Sequence, residues 1–219
     1  MRDMLTNEDI LRIMAEKDIK LNYKTDTRFT YCNTNYAMLA LIIERVTGLK
    51  YGEAMRRMVF KPLGMKHTYV FDYQRDKDSA SISFKGNGQV VPYDFLDDVY
   101  GDKNIFSTPR DLMKFDLATY SADFLNPKLL KQVYQGYSYE KPGTRNYGLG
   151  IRIVEWVSGQ KFFFHNGWWH GNTSAFSTLR KEKVSIIALS NKFTYKTYKT
   201  RKLAPLFGDY PFEDDHADN

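Results

Sequence analysis

Residues 29–48 read FTYCNTNYAMLALIIERVTG. A tyrosine and an asparagine flank a cysteine, Tyr31-Cys32-Asn33, and an apolar run follows at once. Met38, Leu39, Leu41, Ile42, Ile43 and Val46 leave almost no polar face, so the spacing predicts a helix from about Thr34 that is buried nearly all round. Gly48 supplies its stop. Capping accounts for one asparagine at such a helix start, but not for a tyrosine two residues before it. The stretch therefore reads as an aromatic-polar cluster held on an apolar support.

Working outward, Thr6 and Asp9 have the spacing of a capping box, with Leu5 and Ile10 as its staple, and predict a helix to about Lys17. Tyr51, Ala54, Met55, Met58 and Val59 mark an amphipathic helix that Pro62 ends. Gly86, Gly88, Pro92 and Gly101 punctuate residues 66–106, which read as loop with short strands. Thr108-Pro109 and Asn126-Pro127 open two more helices. From about Tyr147 the period changes. YGLGIRIVEWV and KFFFH flank Ser158-Gly159, and NTSAFSTLR and KVSIIALSN flank Lys181-Glu182: four strands in an antiparallel meander. Helices first and sheet second give an α+β class, divided as a mostly helical region 1–145, a sheet region with a C-terminal segment 146–208, and an acidic tail 209–219.

Composition excludes several functions. With 42% hydrophobic and 16% aromatic residues the 219-residue chain can bury a core. Its +6 charge is scattered rather than striped, so no nucleic-acid partner is expected. The single cysteine, Cys32, allows no intramolecular disulfide. No run of about 18 apolar residues suggests a membrane span, and MRDMLTNEDI has no signal-peptide core, so the compartment is left open. His170 and His216 lack partners at metal-ligand spacing, so neither a metal nor another cofactor is expected.

The second cluster is HNGWWHGNTS, His165 to Ser174, which reads as the end of an apolar strand and the turn after it. A glycine directly after the polar pair lets a ligand or another backbone approach closely. Tyr31-Cys32-Asn33 with its helix, FKPLGMKHT, GDKNIFSTPRDLMKF, YGLGI and HNGWWHGNTS together resemble, in order, five blocks of the class C β-lactamases and their penicillin-binding relatives. Those relatives include D-alanyl-D-alanine peptidases and serine esterases. The resemblance implies a β-lactamase/transpeptidase-like fold and a serine hydrolase acting on a small-molecule or peptide substrate: a β-lactam, a D-Ala peptide or an ester. It implies catalytic roles for Tyr31, as acid/base, and for His165, and substrate contact for Asn33, Asn166 and Gly167, with His165-Asn166-Gly167 matching the Lys-Thr-Gly element. The backbone N–H of Trp168 would be an oxyanion donor. Family members are often periplasmic or secreted. Thr25-Asp26-Thr27 stands where the family has Pro-Gly-Thr.

The family nucleophile, the serine of Ser-x-x-Lys on an early helix, has no counterpart: the 30 residues before Tyr31 contain no serine. One Ser-x-x-Lys, Ser138 to Lys141, lies after Tyr31 beside Pro142 and Gly143 and reads as a chance match. The chain thus resembles the C-terminal two-thirds of such a hydrolase, and alone it is expected to be inactive. The alternative is a non-catalytic peptidoglycan- or ligand-binding module of the same fold. Without leading strands the sheet should keep an open edge, so self-association or pairing with an N-terminal fragment is expected.

Overall fold

Thr6 Oγ1 accepts from the N–H of Asp9, while the Asp9 carboxylate accepts from the N–H of Thr6, and this box starts α1, Asn7–Glu16. The computed structural model describes residues 4–138 and 145–212. The chain forms two compact units, Met1–Phe115 and Asp116–Asn219. The acidic tail after Phe212 lies outside the described residues.

In the first unit, α2 (Asn33–Thr47) ends at Gly48, whose φ of 68° is left-handed. The helix is not buried all round. Ala37, Ala40 and Leu41 are buried, but Leu39, Ile42 and Val46 are 50%, 52% and 80% exposed. Ala37, Ala40 and Leu41 make the buried face, with Ile43 packed against the core, so the core face is narrower than the apolar content suggests. α3 (Tyr51–Met55) continues as one π-helical turn, Arg56–Phe60. The wider turn shifts the phase: Phe60 is buried and Met58 is exposed, where an unbroken α-helix would bury Met58. Ala40, Tyr51, Phe60, Met65 and Val70 form the core of this unit.

β1 (Tyr69–Val70) and β2 (Ile105–Phe106) pair antiparallel, with the short α4 (Tyr73–Asp76) in the long connection between them. α5 (Pro109–Ala118) starts at Thr108, whose Oγ1 accepts from the N–H of Asp111. Asp111 is buried and accepts from His67 N–H, Thr68 Oγ1 and Lys114 Nζ. Burial works to raise its pKa, but these hydrogen bonds and the Lys114 charge outweigh it and the net shift is downward. Gly101, at φ 98°, packs so closely on α2 that a Cβ there would lie 2.6 Å from the carbonyl oxygen of Tyr36.

The second unit holds α6 (Pro127–Val133), capped by Asn126, and five antiparallel strands in chain order: β3 (Arg145–Tyr147), β4 (Arg152–Glu155), β5 (Lys161–Trp169), β6 (Asn172–Leu179) and β7 (Val184–Ser190). Five strands replace the four expected, because YGLGI does not continue into one strand. Tyr147 ends β3, and the chain turns through Gly148 to Gly150, the last at φ 78°. A 3₁₀ helix, Tyr195–Leu206, packs on β6 and β7. Phe162, Leu179 and Ile186 pack with Ala204 and Tyr210 in one cluster. Ile151, Ile153 and Phe163 pack with Val133 and Tyr134 in another. Arg180 lies over the rings of Tyr120 and Tyr134, at 4.1 and 4.2 Å, and donates to Thr119.

Two expected outcomes follow. Asn7 is fully buried; its side chain donates to the carbonyls of Ala37 and Tyr100 and accepts from the N–H of Tyr100. Asn7→Asp keeps the shape but turns both donations into oxygen–oxygen contacts. Urea unfolding at pH 7 should show a loss of about 3 kcal/mol; a loss under about 1 would mean that Asn7 does not pin α1 to α2. β7 has one hydrogen-bonded neighbour, β6, among the described residues, and VSIIALS carries neither charge nor proline. Light scattering at micromolar concentration should show association that Leu189→Lys weakens. A monodisperse monomer would mean that the edge is covered.

Candidate active site

Each of the two sequence clusters is held by its own unit. Tyr31 and Asn33 stand together at the start of α2, in the first unit. Tyr31 is 46% exposed and Asn33 is exposed. The N-cap is Cys32, which makes no side-chain cap bond, so Asn33 is the first helical residue rather than the cap. Capping therefore explains none of the three residues. Cys32 is a free, half-buried thiol.

His165, Asn166, Gly167 and Trp168 all lie on β5, in the second unit. They are not at a strand end, as the sequence suggested. β5 runs through to Trp169 and turns only at His170-Gly171, where His170 takes φ 53°. The two-residue turn closes on the Trp169–Asn172 pair. The close approach at Gly167 is made by a side chain rather than by a ligand or another backbone: a Cβ on Gly167 would lie 2.3 Å from Oγ of Ser174 on β6.

The strand pairing gives this stretch its geometry. β5 pairs with β6 from Phe163 to Trp169 but with β4 only from Lys161 to Phe164. From His165 onward, β5 has a neighbour on one side only among the described residues. Backbone groups of an antiparallel strand alternate in direction, residue by residue. Trp156 N–H bonds to Gln160 O at the β4–β5 turn, so the even-numbered residues of β5 face β4, and the tight turn at 170–171 makes the odd-numbered ones face β6. The backbone N–H groups of Asn166 and Trp168 therefore point out of the open edge. The Trp168 ring beside them is 66% exposed, and its Nε1 donates to the carbonyl of His170.

His165 sits where the edge opens. Its Nε2 is 3.0 Å from the Tyr147 hydroxyl and its Nδ1 is 2.8 Å from the Asn166 carbonyl oxygen. Burial pushes its pKa below the ordinary histidine value; the Asn166 contact opposes this, and the positive Arg152 adds to the depression. The shift favours the neutral ring near pH 7.

Neither serine of the Ser-x-x-Lys spellings lies in a helix, the setting of a family nucleophile. Ser138 donates to Asn146 Oδ1 outside any helix, and Lys141 lies outside the described residues. A second spelling, Ser158 to Lys161, escaped the reading of the sequence. It forms the β4–β5 turn, with Lys161 paired to Glu155. Tyr147 carries no sequence signal of its own: YGLGI reads as part of a strand, and no local pattern marks a tyrosine whose partner lies 18 residues on.

A family model described as Beta-lactamase matches residues 3–205. The chain belongs to the β-lactamase family. Penicillin-binding protein 4* of Bacillus subtilis is 25% identical over 201 residues, covering 85% of this chain and 45% of that protein. Teichoic acid D-alanine hydrolase of Staphylococcus aureus is 29% identical over 122 residues, 54% of this chain and 31% of that protein. The solved penicillin-binding protein of Bacillus halodurans superposes with a TM-score of 0.80 at 18% identity, covering 92% of this chain and 62% of that one. The fold is thus β-lactamase/transpeptidase-like, as expected, and the chain spans about half the length or less of the curated relatives named here. No helix among the described residues is long and apolar enough to cross a membrane.

Gly167→Ala forces Ser174 Oγ to move, and should cost about 1 kcal/mol or more. Ser174→Ala removes that oxygen, and the remaining Cβ lies 3.7 Å from the built Cβ. The double variant should therefore recover most of the loss in urea unfolding. Purely additive costs would mean that β5 and β6 are not this close at Gly167.

Proposed function

We propose that the chain is the acid/base and oxyanion-binding part of an acyl hydrolase of this family, and that the serine nucleophile is not among its 219 residues. The observation that carries this reading is the open edge of β5, with the Trp168 N–H directed outward one residue after Gly167. A donor fixed in that way stabilises an oxyanion without reorganising, an effect worth on the order of 3 kcal/mol per donor. Asn33 and Asn166 would contact the substrate, and Tyr31 would transfer the proton. The substrate is an ester, amide or lactam whose carbonyl oxygen becomes the oxyanion.

Tyr31 has to ionise to act as a base. Bringing a phenol from about 10 to about 7 takes roughly 4 kcal/mol of differential interaction. The positive end of α2 contributes at most about 1 kcal/mol. A neutral His165 adds no charge to that sum. The remainder would come from cations close to the phenol in the working site. A binding module of the same fold is the second reading, supported by Ser138 and Ser158 both lying outside any helix.

Incubated with nitrocefin or p-nitrophenyl acetate, the chain should show no turnover and gain no mass from a covalent adduct. Turnover abolished by Ser138→Ala or Ser158→Ala would place a nucleophile inside the chain and overturn the reading. Joined to a Ser-x-x-Lys-bearing leading segment from the family, the chain should hydrolyse, and Tyr31→Phe should then lower kcat at least about 100-fold. A folded, acylated chimera indifferent to Tyr31→Phe would leave the binding-module reading.

A further inference from the structure

Tyr147 is buried at the end of β3, and its backbone is fixed at both ends: its N–H donates to Asn146 Oδ1 and its carbonyl accepts from Tyr137 N–H. Its ring stands edge-on to His165, with centroids 6.0 Å apart and planes at 88°. The hydroxyl meets Nε2 at 3.0 Å. We propose that Tyr147 is a positioning residue for His165: its hydroxyl donates to Nε2 and so holds the imidazole as the Nδ1–H tautomer, with the ring fixed beside the open edge of β5.

The argument is one of complementary groups. The Asn166 carbonyl can only accept, so the nitrogen 2.8 Å from it must carry a hydrogen. A neutral imidazole has one N–H, so Nε2 then holds a lone pair, and the phenol supplies the hydrogen between them. The opposite tautomer would set the Nδ1 lone pair against a carbonyl oxygen. The imidazolium would put a second positive charge near Arg152, whose guanidinium lies over the Tyr147 ring at 5.8 Å. The contacts thus select one protonation state and one orientation. They also commit the imidazole's only lone pair to Tyr147. His165 can take up a proton only when the phenol lets go, so within the proposed function it orients the strand edge and is not a resting general base. That consequence rests on the proposed function; the tautomer does not.

Nitrogen-15 NMR of the imidazole rings in the intact chain reads the tautomer directly, with His165→Gln identifying the resonance among the four histidines. At pH 8 His165 should carry hydrogen on Nδ1 and none on Nε2, by about tenfold over the other form. A dominant Nε2–H form would overturn the proposal outright, whatever any hydrolase assay gives. Tyr147→Phe keeps the ring and removes the donor. The Nε2–H form should then appear, and the His165 pKa should rise toward the ordinary value, because the neutral form has lost a hydrogen bond. Arg152 on β4 remains as the nearby charge in both proteins. An unchanged tautomer ratio and titration in a folded Tyr147→Phe chain would show that the phenol only packs. If that variant does not fold, the wild-type spectrum still decides.

Discussion

β4 stops pairing with β5 at Phe164, while β6 continues to Trp169. Everything proposed for the site depends on that difference of five residues. A strand paired on both sides has no backbone groups to offer a ligand, and a strand paired on neither side does not hold still. The last half of β5 is held by β6 and open toward β4. Its odd-numbered residues carry the fold and its even-numbered ones are turned outward. The turn at Gly148–Gly150 separates β3 from β4 and places Tyr147 beside His165 just where the edge begins.

Much of this was legible in the sequence. The capping box at Thr6, the stop at Gly48 and the proline-led helix after Thr108 rest on local chemistry that the fold does not override. The two tight turns of the meander were visible for the same reason. Three features were not. α2 packs through Ala37, Ala40 and Leu41, and hydropathy does not distinguish a small side chain that allows close contact from a large one left exposed. The π turn after Met55 changes the helical phase without a sequence mark. The length of β5 past His165 is set by its pairing with β6, and the polar His165-Asn166 followed by glycine looked like an end.

The site residues divide along the same line. His165, Asn166, Gly167 and Trp168 were found as a motif, and their placement on one strand follows from their adjacency. The Ser174 and Tyr147 contacts were invisible because each is a tertiary choice: the first depends on register, the second on a turn that folds β3 back. The electrostatics of His165 also needed the structure. A histidine two residues before a glycine on an apolar strand could be charged or neutral; burial, with Arg152 adding to it, favours the neutral form.

Amide hydrogen exchange along β5 tests the central claim most directly. The account predicts strong protection of the His165, Gly167 and Trp169 amides, which face β6, and exchange at least about 100-fold faster at Asn166 and Trp168, a difference of about 2.8 kcal/mol in opening free energy. Uniform protection across the five residues would mean that the edge is covered and that no outward N–H is available to an oxyanion.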